Sequence, residues 1–96
     1  MKKEFKNFEK KLEEIIAGKE FTPEQIEEIR NGLEQELNVS KYANPEFDEG
    51  QMYQIRLGLE QRLDVSKYAD PKFDWRQMEE IREEESRKLA YRFFRP

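Results

Sequence analysis

The sequence predicts an all-α fold: a small, solenoid-like helical-repeat domain in which four longer helices alternate with short ones. Two observations lead there. One helix-start signal recurs at 26-residue intervals, as Phe21-Thr22-Pro23-Glu24-Gln25-Ile26, Phe47-Asp48-Glu49-Gly50-Gln51-Met52 and Phe73-Asp74-Trp75-Arg76-Gln77-Met78. Between these starts the apolar residues recur at the three- and four-residue spacing of an amphipathic helix.

Each start has a physical logic. Thr22, Asp48 and Asp74 are N-cap residues, whose side-chain oxygen can accept from an orphan backbone N–H. Gln25, Gln51 and Gln77 fall three residues on, where the amide reaches back and closes a capping box. Phe21, Phe47 and Phe73 before the cap face Ile26, Met52 and Met78 after it, the arrangement of a hydrophobic staple. Pro23 suits the first helical position, because its missing N–H had no partner there.

In chain order, residues 2–17 form the first helix, with Phe5, Phe8, Leu12, Ile15 and Ile16 on one face. Gly18 follows as a C′ residue able to take positive φ. The first repeat, 21–46, holds a helix from Pro23 to about Leu37 with the stripe Ile26, Ile29, Leu33 and Leu37. Asn38 then caps a short helix, Val39-Ser40-Lys41-Tyr42-Ala43, which ends because Asn44 precedes Pro45. The second repeat, 47–72, is identical at 15 of 26 positions and carries Met52, Ile55, Leu59 and Leu63. Gly32 and Gly58 interrupt their helices at a cost of about 1 kcal/mol each. A ring or backbone approaching too closely for a side chain would account for both.

The third unit, 73–96, diverges: Glu83-Glu84-Glu85 replaces Leu57-Gly58-Leu59. A glutamate at the Leu33/Leu59 position implies that nothing large packs there, as suits the outer unit of a stack. In repeat register Leu89 replaces Leu63, Tyr91 replaces Val65 and Phe94 replaces Tyr68. The aromatic tail therefore reads as core rather than as a basic-aromatic binding peptide. Residues 1–20 form a leading, capping helix, and the whole chain reads as one domain.

Composition sets further limits. Charged residues are 42% of the chain and the net charge is −4. That charge is unevenly spread: residues 1–11 carry +3, residues 86–96 carry +4, and residues 12–85 carry −11. An acidic body with basic ends either is a solvated surface or attracts a basic partner. Histidine and cysteine are absent, which excludes imidazole acid–base chemistry, thiol chemistry and Cys/His metal sites within this chain. No secretory signal or membrane span is evident, so a cytoplasmic protein is expected.

The consensus Gln-Met-x-x-Ile-Arg-x-Gly-Leu-Glu-Gln-x-Leu-Asp-Val-Ser-Lys-Tyr-Ala-Asp-Pro-x-Phe covers residues 21–82. It is carried most specifically by Asp64-Val65-Ser66-Lys67-Tyr68-Ala69-Asp70-Pro71. It resembles a short helical repeat of small, mostly uncharacterised proteins from phages and conjugative elements of gut clostridia. The resemblance implies an accessory protein of a mobile genetic element and brings no active site with it.

No constellation of residues points to an enzyme, a cofactor or a metal. The carboxylates Glu27, Glu28, Glu79, Glu80, Glu83, Glu84 and Glu85 fall on helix faces expected to be exposed. Asp64, Asp70 and Asp74 lack the ligand spacing of a calcium loop. Arg30, Arg56 and Arg82 recur beside the stripe. They either join repeats by pairing with an acid or carbonyl, such as Asp70 or Asp74, or form a row that contacts an anion.

Departures from the repeat mark the surface. Tyr53 stands where the other copies have Glu27 and Glu79, Leu57 where they have Asn31 and Glu83, and Trp75 where they have Pro23 and Glu49. These three are the candidate protein-binding residues. The function expected is a non-catalytic protein–protein interaction module, binding another protein or its own copy. One alternative is an acidic inhibitor of a host nucleic-acid-binding defence enzyme, anti-CRISPR-like in action. Another is nucleic-acid binding through the basic termini, with Arg87, Lys88, Arg92 and Arg95.

Overall fold

The computed structural model describes the backbone of residues 2–94 and the side chains of residues 8–92. Four α-helices follow in order: α1 (Lys2–Ile16), α2 (Pro23–Glu34), α3 (Glu49–Glu60) and α4 (Trp75–Phe94). No strand occurs among the described residues. Single 3-10 turns at Val39–Lys41 and Val65–Lys67 stand where short helices were expected.

All three capping boxes form. Thr22 Oγ1 accepts from Gln25 N at 3.1 Å while Gln25 Oε1 accepts from Thr22 N at 2.7 Å. Asp48 and Gln51 make the same pair at 2.8 Å each way, and Asp74 and Gln77 at 2.9 Å. Two of these glutamines also act beyond their own helix. Gln25 Nε2 donates to the carbonyls of Pro45 (3.2 Å) and Phe47 (2.5 Å). Gln51 Nε2 donates likewise to Pro71 (3.1 Å) and Phe73 (2.6 Å). One amide thus starts a helix and holds the extended link leading into the next.

The ends of α2 and α3 come earlier than the apolar stripes suggest. Glu36 N bonds the Leu33 carbonyl at 2.9 Å and Leu37 N the Gly32 carbonyl at 2.9 Å, closing a Schellman motif. Arg62 and Leu63 repeat it on Leu59 and Gly58. The left-handed C′ position is occupied by Glu36 (φ 59°) and Arg62 (φ 61°), with no glycine to announce it. Leu37 and Leu63 therefore lie past the helix ends. Asn38, expected as a cap, makes no backbone cap bond; its Oδ1 accepts from the Ser40 hydroxyl at 2.5 Å. Asp64 does cap, accepting from both the Ser66 N–H and its hydroxyl.

Each 3-10 turn folds a tyrosine back onto the preceding helix. Tyr42 Oη donates to the Glu28 carbonyl at 2.6 Å, and Tyr68 Oη to the Gln54 carbonyl at 2.7 Å. Both rings are fully buried. They explain the helix glycines. A Cβ on Gly32 would overlap Tyr42 Oη and lie 2.6 Å from Val39 Cγ1, and one on Gly58 would meet Tyr68 and Val65 in the same way.

The third unit departs from this plan. With Glu84 in place of that glycine, no tyrosine can dock, and α4 runs unbroken for 20 residues to Phe94. Tyr91, read from the repeat register as core, is 68% exposed on that continuing helix. Phe5, Phe93 and Phe94, also read as core, lie outside the described side chains. Glu85 is half-buried rather than solvent-facing, because Lys67 reaches over to it at 3.1 Å.

Helix α1 packs on α2, α2 on α3 and α3 on α4, within dimensions of 46 × 33 × 16 Å. One continuous core joins them, from Leu12 through Ile29, Met52 and Ile55 to Met78, completed by Val39, Tyr42, Phe47, Val65 and Tyr68. The turn residues contribute as much of it as the helix stripes do.

Candidate interaction surface

Two features lie outside this core: a set of arginine contacts between neighbouring helices, and a group of exposed aromatic residues.

Arg56 on α3 reaches back to α2, its Nε donating to Glu28 Oε1 at 2.8 Å, and its Nη1 meets Glu60 Oε2 at 2.6 Å. Glu60 in turn accepts from Gln35 Nε2 at 2.7 Å. Burial opposes the Arg56 charge, but the bonds and charges of Glu28 and Glu60 outweigh it and raise the guanidinium pKa above its usual value. Arg82 on α4 repeats the first of these contacts, with Nε to Gln54 Oε1 of α3 at 3.0 Å, while its Nη1 reaches Gln61 Oε1, just past the end of α3, at 3.0 Å. Arg30 on α2 pairs with Glu9 of α1 at 2.9 Å and lies 3.8 Å from Glu27. Each arginine therefore bridges to the helix before it. The acceptors are helix side chains, not Asp70 or Asp74, and Glu28 is half-buried by its pairing rather than exposed. With Nε and Nη1 bonded to carboxylates of its own chain and its side chain only 12% exposed, that guanidinium offers little to an external anion.

The aromatic group is built on α3. Tyr53 is 42% exposed and carries the Arg56 guanidinium over its ring at 5.3 Å. Leu57 lies one turn further along the same face and is half-buried. Trp75 opens α4, is 43% exposed, and has Arg76 over its ring at 5.4 Å. Its indole rests on Gly50, one turn before Tyr53: a Cβ placed on Gly50 would lie 3.4 Å from both Trp75 Cβ and Cδ1. The fold thus sets Trp75, Gly50, Tyr53 and Leu57 in sequence along one helix face. Gly50 is the residue that sequence reasoning passed over. The signal was present, since Gly50 replaces Glu24 and Arg76 of the other copies three residues before the departure at Tyr53.

This group can bind by burial and stacking, and it offers no chemistry. Among the described residues no cluster of carboxylates is arranged to hold a metal ion, and no helix is long and apolar enough to cross a membrane. No protein-family model, curated protein or solved structure matches this chain.

Proposed function

We propose that the chain is a solenoid-like helical-repeat module whose function is to bind a protein through the face formed by Trp75, Tyr53 and Leu57. The observation that carries this is the seating of Trp75 on Gly50. Two departures from the repeat, 25 residues apart, meet to leave an indole half-exposed beside a half-exposed tyrosine. Trp and Tyr supply large rigid contact area at small entropic cost, the usual make-up of a binding hot spot. In-line packing of α1 to α4 supports the repeat reading, and the resemblance of residues 21–82 supports an accessory role in a mobile genetic element.

Affinity capture from host lysate at low and high salt tests the proposal, comparing the native chain with a Tyr53→Ala, Leu57→Ala, Trp75→Ala variant. A partner held at high salt by the native chain and lost by the variant is the expected result. A partner retained by the triple variant, or one released by salt and displaced by nucleic acid, refutes the aromatic face. The second pattern would instead support an acidic inhibitor of a nucleic-acid-binding enzyme.

A further inference from the structure

On the far side of the α3–α4 boundary, a cleft of about 460 Å³ opens between the turn after α3 and the second half of α4. Its polar lining is Arg62, Asp64, Lys67, Glu85, Lys88 and Arg92, and Leu63 and Leu89 complete it. Four cations face two carboxylates, a local surplus of two positive charges in a chain of net charge −4. The carboxylates are already engaged. Asp64 caps its turn through Ser66, and Glu85 holds Lys67 at 3.1 Å and Lys88 at 3.5 Å. Those lysines draw the Glu85 carboxyl below its ordinary pKa, so it stays ionised between them. Among the described residues the Arg62 and Arg92 guanidiniums have no carboxylate partner.

The neighbouring unit shows that this arrangement is not required for folding. The same repeat positions one unit earlier hold Glu36, Asn38, Lys41, Leu59, Arg62 and Ser66, the last two in the turn after α3 where Lys88 and Arg92 stand on the unbroken α4. There the C′ residue is an acid and the outermost position is a serine. In the α3–α4 cleft those two become arginines, and the buried-side leucine becomes the glutamate that ties down both lysines. Asn38 also becomes Asp64, so the set as a whole goes from a net charge of +1 to +2. Arg62 is also held in the left-handed conformation (φ 61°) at the cleft's edge, where the chain has already turned away from α3.

We propose that this cleft binds a phosphate-bearing ligand, with Arg62 and Arg92 as its two primary contacts. Planar guanidiniums suit phosphate oxygens by paired N–H donation, and the surplus of two charges matches a phosphate dianion or two adjacent phosphodiesters. The polar lining, relieved only by two leucines, suits a compact anion better than an apolar ligand.

The test is an NMR titration of the full ¹⁵N-labelled chain with three probes: inorganic pyrophosphate, a short single-stranded oligonucleotide and polyglutamate. Shifts at residues 62–67 and 85–92 with pyrophosphate or the oligonucleotide are expected, and the stronger of the two identifies a free or a polymeric phosphate source. Arg62→Glu installs the residue that the sister unit carries in the same left-handed conformation, and Arg92 stands at an exposed helix position, so the fold is expected to survive Arg62→Glu and Arg92→Ser, and each should weaken binding about tenfold. Glu85→Gln releases both lysines and should tighten it. No shift with either phosphate probe overturns the proposal. So do shifts that the two arginine variants leave unchanged, or an equal response to polyglutamate. None of these outcomes touches Tyr53 or Trp75, so the protein-binding face stands or falls separately.

Discussion

Tyr68 lies so close against Gly58 that its hydroxyl takes the space a methyl group would need, and it donates there to the Gln54 carbonyl at 2.7 Å. Gly58→Ala should therefore destabilise the fold by about 1–3 kcal/mol through overpacking, despite the better helix propensity of alanine. Tyr68→Phe should cost about 1 kcal/mol through the lost hydrogen bond. The double variant should cost less than the sum, because removing the oxygen vacates part of the space. A urea-unfolding double-mutant cycle measures this. Additivity within about 0.5 kcal/mol would mean that the hydroxyl is not the obstacle.

Glu36 carries the left-handed conformation that ends α2 without being glycine. That conformation costs a side-chain-bearing residue about 1 kcal/mol. Glu36→Gly should raise stability by up to about 0.5 kcal/mol, since most of the gain is offset by greater freedom in the unfolded chain. Thermal unfolding with an unchanged far-UV spectrum would show it.

Burial pushes the Tyr68 hydroxyl up to about 12 from its ordinary 10.0, with Arg82 opposing. Burial raises Tyr42 further, helped by Glu28 and Glu60 and opposed by Arg56 and by a backbone bond at Gly32. A phenol with a raised folded-state pKa contributes stability that is complete below the unfolded value, near pH 10, and is lost as pH rises through the folded one. The fold should therefore hold to about pH 10 and lose stability through about pH 12. Phenolate absorbance recorded with circular dichroism should show that these two rings ionise only as the helices melt. Phenylalanine at both positions should remove that part of the alkaline loss.

Arg56 and Arg30 occupy equivalent positions in unequal surroundings, with side chains 12% and 33% exposed. Arg56→Ala strands two carboxylates, Glu28 and Glu60, and should cost about 2 kcal/mol, between the values for buried and surface pairs. Arg30→Ala should cost less than about 1 kcal/mol. Chemical denaturation at 0.05 and 0.5 M salt should separate them, since screening weakens the exposed pair first.

What was legible in the sequence was local. A capping box needs only residues three apart, so all three could be read from Thr22, Asp48, Asp74 and their glutamines. The helix glycines implied a close approach, although the approaching ring could not be named. The failures came where geometry is set by contacts across units. Glu36 and Arg62 adopt left-handed backbone without any residue that favours it. Asn38 and Asp64 align in the repeat, yet only the carboxylate serves its turn's backbone N–H. Tyr91 aligned with Val65, but register fixes position only while the chain breaks where its sister breaks, and Glu84 removes that break. The approach of Trp75 to Gly50 needed α3 and α4 in place before it could be seen.

The glutamines that cap α2 and α3 have a consequence for how the molecule comes apart. Because Gln25 and Gln51 each secure both a helix entrance and the next unit's link, neither helix start can fray without releasing its downstream neighbour's tether. Opening is then shared between adjacent units rather than confined to one. The slowest-exchanging amides should fall in a single cooperative block spanning α2, α3 and the start of α4, where Gln51 holds the Phe73 carbonyl and Met78 is fully buried, while the more exposed second half of α4 exchanges faster.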